Sequence, residues 1–213
     1  NLVGGTVAAG FYTAFVLFGR RRFETPNPSK HRPETLVWLA GLTVVGFAWI
    51  WVVHEISPLR NRLGKCAFVL YYPSSSGYFT RARYDQPNTR ELLAGYENLM
   101  SKGDVLHTGT HPPGLFLVFQ GLIAACAGSP ELSAALDAVQ PPSFREGCDV
   151  IAANSVRGRP PRALLDLDRR VMWLATLIVM SMAAATVLPF YALLRRGCTP
   201  ADAWTCAGSE EHT

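Results

Sequence analysis

Leu36-Val37-Trp38-Leu39-Ala40-Gly41-Leu42-Thr43-Val44-Val45-Gly46-Phe47-Ala48-Trp49-Ile50-Trp51-Val52-Val53 contains no charged side chain. As a helix rising about 1.5 Å per residue it reaches about 27 Å. That is close to the roughly 30 Å hydrocarbon core of a bilayer, which takes around 17 to 25 helical residues. Trp38 stands near one end and Trp49 and Trp51 near the other, the placement of an interfacial aromatic belt. Two more stretches, Leu2 to Gly19 and Val171 to Leu194, are equally free of charge, the latter with Trp173 and Tyr191 near its ends. Small residues at Gly4/Ala8 and Gly5/Ala9 would let another helix approach the first stretch closely. A fourth run, Pro112 to Gly128, is shorter. Its start is well specified, because Pro112 and Pro113 suit a first helical turn and Thr110 or His111 can cap it.

Composition agrees with these runs. Of 213 residues, 49% are hydrophobic and 17% charged, against the roughly 25% charged of an ordinary soluble domain. Mean hydropathy is +0.14, so polar connections dilute the apolar runs. A disordered tail and a collagen-like chain are excluded on composition. Net charge is +4, but no basic run exceeds Arg20-Arg21-Arg22, too short for an electrostatic track on nucleic acid. Cysteines at 66, 126, 148, 198 and 206 form an odd set with no C-x-x-C pair, so neither a disulfide framework nor a zinc knuckle is legible. The chain opens on Asn1 and closes on Ser209-Glu210-Glu211-His212-Thr213, and reads as a piece truncated at both ends.

The expected fold is therefore all-α: a polytopic integral membrane helix bundle forming a single membrane domain over 1–213. Its spans are 2–19, 36–53, 112–128 and 171–194. Orientation follows from lysine and arginine in the short connections. The segment Arg20 to Thr35 carries Arg20, Arg21, Arg22, Lys30 and Arg32 against Glu24 and Glu34, which makes it cytoplasmic. The loop 54–111 is then extracytoplasmic and the loop 129–170, with six arginines, cytoplasmic. One conflict stands: this order leaves Arg195-Arg196 outside. In a bacterium the location would be the cytoplasmic (inner) membrane.

Within the external loop, Asn88-Thr89-Arg90-Glu91 has the form of a capped helix start, and Gly103 supplies a stop. Leu92, Leu93, Tyr96, Leu99 and Met100 fall on one helical stripe, so a helix over 89–102 would lie flat at the interface with Arg90, Glu91, Glu97 and Lys102 in water. Asp85 precedes it in Tyr84-Asp85-Gln86-Pro87, and the loop ends on Asp104-Val105-Leu106-His107-Thr108-Gly109-Thr110-His111-Pro112-Pro113. A carboxylate before one helix and a histidine heading the next can frame a pocket at the membrane surface. Equally, Asp85 can be a turn residue before Pro87 and His111 an N-cap. Asp104, His107 and His111 have metal-ligating types at helical spacing, although Gly109 and Pro112 break such a helix. His54-Glu55 lacks the second histidine of a zincin motif, since position 58 is proline.

Over Tyr78 to Leu117, the order of acidic residue, amphipathic helix ending in glycine, and His111-Pro112-Pro113 entering a span resembles the first external loop of membrane glycosyltransferases that use polyprenyl-phosphate-linked sugars. The resemblance is to the protein O-mannosyltransferase and aminoarabinose-transferase type. It implies Asp85 as catalytic base, matching the aspartate of that family's Asp-Glu pair, with Gln86 in place of the glutamate. It also implies a polyprenyl-phosphate sugar as donor, an acceptor met on the extracytoplasmic side, and His111, Arg81, Arg83 and Arg90 as candidates for holding the phosphate. Arginine's planar fork suits phosphate oxygens. No cofactor is assigned and the divalent-metal requirement is open. The expected partners are the lipid bilayer and a lipid-linked sugar. Two other readings stand beside this one: a non-catalytic or remnant polytopic membrane protein, and a metal-dependent membrane enzyme using Asp104, His107 and His111.

Overall fold

The computed structural model describes residues 2–24, 31–85, 88–101, 113–156 and 164–209. Among them every regular element is a helix: α1 (Leu2–Phe23), α2 (His31–Ile56), a 3₁₀ turn (Leu59–Asn61), α3 (Gly64–Tyr71), α4 (Tyr78–Thr80) running into one π turn (Arg81–Asp85), α5 (Thr89–Ser101), α6 (Gly114–Gly128), α7 (Pro130–Val139), α8 (Pro142–Val156), α9 (Asp166–Ala185), α10 (Val187–Leu194) and α11 (Pro200–Ser209). The described residues of the segments 54–111 and 129–170, read as loops, are thus largely helical.

Two described helical stretches are long and apolar enough to cross a membrane: Pro33–Ile56, of mean hydropathy 2.2, and Asp166–Leu194, of mean hydropathy 2.1. They contain the runs expected at 36–53 and 171–194. A third is added if α6 and α7, bent by 103° at their junction, are taken as one broken span. The expected span 112–128 is therefore only one limb of a bent pair; its Pro112 lies outside the described residues. At 15 residues α6 reaches about 22 Å, short of a full crossing. The run 2–19 forms one continuous helix within Leu2–Phe23.

The chain divides into two compact units, Asn1–Ser57 with Ile178–Thr213, and Pro58–Leu177. In the first, α1 packs on α2 and α11, and α10 packs on α11 and α2. Trp204 is its centre, fully buried. Its ring meets Trp38 edge-on at 5.9 Å and Phe23 at 5.2 Å between centroids. Its indole N–H donates to the Val16 carbonyl at 2.7 Å. The Tyr12 hydroxyl donates to the Gly208 carbonyl at 2.9 Å, so both buried aromatics keep a partner for their polar end. Gly19 is dictated by this packing: a Cβ there would stand 2.3 Å from the Trp204 ring. The helix α11 starts on a capping Thr199, which accepts from the Asp202 amide at 3.2 Å.

In the second unit α3 and α8 cross where two glycines face each other. A Cβ on Gly147 would lie 2.7 Å from the Gly64 Cα, and one on Gly64 2.5 Å from the Ser143 carbonyl oxygen. An aromatic cluster fixes α6 against α4 and α5: Phe116 meets Tyr78 at 5.3 Å and Tyr96 at 6.2 Å, and Phe119 meets Phe79 at 6.1 Å. Trp173, placed by its sequence position in an aromatic belt, is instead wholly buried, 4.9 Å from Phe144. Tyr191 in the first unit is likewise buried, with Phe23 at 6.3 Å. Large flat side chains gain more from a packed core than from an interface when helices lie beside them.

Candidate functional site

The segment carrying Asp85 is positioned from both sides. Upstream, Gly77 adopts φ +61°, where a Cβ would stand 2.6 Å from the Pro73 Cα, and this turn delivers Tyr78 and Phe79 into the aromatic cluster, both buried. The Thr80 hydroxyl donates to the Tyr71 carbonyl. The backbone then widens into the π turn Arg81–Asp85. Single π turns are rare and recur at functional sites. Downstream, Asn88 Oδ1 accepts from the amides of Arg90 at 3.0 Å and Glu91 at 3.4 Å, while its Nδ2 donates to Glu91 Oε1 at 2.9 Å. The expected cap of α5 is thus formed, by the mechanism that makes asparagine a good N-cap. The apolar stripe of α5 is divided: Leu92 and Tyr96 are buried, whereas Leu93 and Met100 face outward.

Along the π turn Ala82 is buried, Arg81, Arg83 and Tyr84 are half-buried, and Asp85 is exposed at its end. Arg83 Nε donates to Asp168 Oδ1 at 3.2 Å, and the Tyr84 hydroxyl donates to Asp168 Oδ2 at 2.7 Å. The Leu165 amide donates to the same Oδ2 at 2.9 Å. Asp168, third residue of α9, thereby reaches back to the amide before the helix as an acid in a capping box does, and its charge suits the helix N-terminus. It has no exposure. A carboxylate removed from water needs a cation and hydrogen bonds to offset its desolvation, and these three donors provide them. Burial, then the hydrogen bond and the charge of Asp168, push the Tyr84 phenol above its ordinary range, which keeps it a neutral donor.

The next two residues of α9 continue the pattern. Arg169 pairs with Asp149 of α8 at 2.9 Å. Arg170 holds Asp137 of α7 through two nitrogens, Nη2 to Oδ2 at 2.7 Å and Nε to Oδ1 at 2.9 Å. Arg145 adds a bond to the Asp137 carbonyl at 2.7 Å. Three successive residues thus tie the π turn, α8 and α7 to the first turn of α9, forming a collar of ion pairs immediately before the uncharged run at Val171.

Of the residues expected to act on a sugar phosphate, Arg81, Arg83 and Asp85 share the π turn, with Arg83 committed to Asp168. Arg90 is exposed in the first turn of α5. His111, like Gln86, Asp104 and His107, lies outside the described residues, and with it the expected meeting of Asp85 and His111. Among the described residues no group of three or more His, Cys, Asp or Glu is arranged to hold a metal ion. The His54 Nδ1 lies 2.8 Å from the Ile50 carbonyl oxygen within its own helix. Burial pushes the Cys148 thiol up to about 12 and raises Cys66 as well, so neither is an activated thiolate.

Asp168 is the residue that sequence reasoning missed. Asp166 and Asp168 before an uncharged run mark a helix start, but nothing local names Arg83, 85 positions away, as partner. The contact joins segments that the charge count had set on opposite sides of a bilayer. No family model, no curated protein and no solved structure matches this chain.

Proposed function

We propose that the protein is an integral membrane glycosyltransferase that moves a sugar from a polyprenyl-phosphate carrier to an acceptor on the extracytoplasmic side. The observation that carries the reading is the π turn: it presents an exposed carboxylate, Asp85, between a buried aromatic anchor and a capped helix. The likeness of Tyr78 to Leu117 to the external loop of such enzymes and the two or three apolar helices support it. Asp85 takes the proton of the acceptor hydroxyl or amine as its lone pair forms the new bond to the anomeric carbon. The bond from that carbon to the phosphate oxygen breaks, and its electron pair leaves with the lipid phosphate. Arg81, Arg90 and His111 remain the candidates to meet the departing charge. Arg83, held by Asp168, positions the π turn.

General-base assistance is worth about 10² to 10⁴ in rate. Asp85→Asn should therefore lower transfer from a polyprenyl-phosphate sugar by that order, with membrane insertion unchanged, while Asp104→Asn leaves transfer intact. Full transfer by the Asp85 variant overturns the assignment. Loss of activity and bound metal in the Asp104 variant alone would put the metal reading in its place. A second reading, a non-catalytic membrane protein, is favoured by one observation: an arginine expected to meet phosphate is engaged by a buried carboxylate. It is the outcome if purified protein binds a polyprenyl-phosphate sugar, or nothing, without transferring it.

A further inference from the structure

We propose that α6 and α7 do not cross the bilayer but form a hairpin seated in one leaflet, returning to the membrane face it left, so that 54–111 and 129–165 lie on the same side. The inference goes beyond the transferase reading and stands whatever Asp85 does. Its basis is a closure. The chain before the hairpin is held at Arg83, 3.2 Å from Asp168, and the chain at the end of α7 is held at Asp137, 2.7 Å from Arg170. Asp168 and Arg170 are two residues apart on one helix, about 3 Å along its axis. Both ends of the excursion therefore meet α9 at one level, whereas the ends of a single crossing would be separated by about 30 Å.

The middle of the excursion agrees. The Thr89 hydroxyl at the polar start of α5 bonds Gln120, halfway along α6, which keeps Gln120 no deeper than the exposed Arg90 and Glu91 beside Thr89. Eight residues remain from there to Gly128, about 12 Å of helix. The chain then turns through 103°, and the Ser133 hydroxyl on α7 bonds the Cys126 carbonyl at 2.9 Å, fixing the corner so that α7 runs nearly across α6 and does not continue its descent. The surface this leaves outward on the half of α6 beyond Gln120 includes Gly121, Ala124 and Ala125, without a charge, fit for acyl chains. Exposed Glu131 at the bend requires α6 to run obliquely from Gln120, so that the carboxylate stays near head groups and water, because a carboxylate in hydrocarbon is costly. The collar of ion pairs likewise marks the boundary of the leaflet. With α6 and α7 on one side, the stretch Asp166–Leu194 carries the chain to the opposite face, so Arg195-Arg196 fall on the cytoplasmic side that their charge prefers, while the arginines of 129–170, of which Arg169 and Arg170 are paired with aspartates, lie outside.

Sidedness of single cysteines decides it. In full-length protein lacking Cys66, Cys198 and Cys206, with buried Cys126 and Cys148 kept, three reporters are compared in sealed vesicles: Asn98→Cys on α5, Glu131→Cys at the bend, and Cys198 restored. Ala134→Cys, exposed on α7, replaces Glu131→Cys if that variant fails to accumulate. An impermeant quencher should abolish labelling of Asn98→Cys and of the α7 reporter from the same side, and of Cys198 from the other. An α7 reporter protected with Cys198 and not with Asn98→Cys overturns the hairpin. All three quenched from one side also overturns the proposal, since the stretch ending at Leu194 would not then cross. Neither result bears on whether sugar is transferred, so this test and that of Asp85 fail independently.

Discussion

The two units are held together by different physics. In the first, α1, α2, α10 and α11 meet through aromatic faces and through glycines that admit them, Gly19 under Trp204 and Gly208 under Val16. Its ion pairs, such as Arg20 with Glu24 at 3.0 Å and with Asp202 at 3.9 Å, are exposed and are worth little. In the second, a carboxylate with no exposure gathers three donors, and two neighbouring arginines each take an aspartate from another helix. Aromatic and glycine contacts select by shape, whereas a buried carboxylate must be met by particular donors.

The contrast breaks most severely at Trp204. Trp204→Ala removes a fully buried indole and the hydrogen bond it donates to the Val16 carbonyl, and such truncations cost about 3 to 5 kcal/mol. The loss should appear as a lowered unfolding temperature in detergent and be unaffected by added salt. In the second unit Asp168→Ala removes the acceptor that Arg83 and Tyr84 share. Because the guanidinium keeps some access to water, the cost falls at the lower end for a broken buried pair, about 3 kcal/mol. A cycle with Arg83→Met should recover part of it, since removing both partners leaves no stranded charge. If the two single losses simply add, the pair is not the link between the π turn and α9.

Much of the scaffold was legible because the signals are local. The runs 36–53 and 171–194 lack charge over a membrane's thickness, and Asn88 with Glu91 announces a helix start that forms as written. The helix α11 escaped notice: it is ten residues long, too short for a periodic pattern to stand out, and its meaning lies in Trp204, whose partners Val16 and Gly19 are more than 180 positions away. The candidate site divides the same way. Asp85 and the arginines stand out as an acid and bases before a capped helix, while the partner of Arg83 is a tertiary fact. So is the bend after Gly128, where Ser129-Pro130 reads equally as the end of a span or the corner of a hairpin.

The crossing of α3 and α8 gives a third effect. Gly147→Ala drives a methyl group to 2.7 Å from the Gly64 backbone, which cannot swing aside as a side chain can. Overpacking of this kind costs about 1 to 3 kcal/mol. Gly19→Ala in the first unit presses on a ring instead, and comparing the two thermal shifts asks whether backbone or side chain yields more. Cys148, one position on from Gly147, adds a pH dependence with no effect at neutrality. Its thiol titrates at an ordinary value near 9 when unfolded and up to about 12 when folded. A raised pKa means stability is fully present below pH 9 and is lost as pH rises toward 12. Cys148→Ala should flatten that alkaline limb in thermal scans; an unchanged slope would place its origin elsewhere, with Tyr84 next to be tested as Tyr84→Phe.

The smallest expected effect has the opposite sign. Gly95 lies inside α5, and a Cβ built there meets nothing within 4 Å. Glycine in a helix interior loses more backbone freedom on folding than alanine and costs roughly 0.5 to 1 kcal/mol relative to it. Gly95→Ala should therefore stabilise the protein by up to that amount, where the same substitution at Gly147 destabilises it. Both glycines belong to one unit, so the difference isolates what surrounds them: open space on one side of α5, a backbone at contact distance between α3 and α8. A rise in unfolding temperature for Gly95→Ala with a fall for Gly147→Ala would confirm that reading. A fall for both would mean that the outward side of α5 is covered by something that the open space around Gly95 does not reveal.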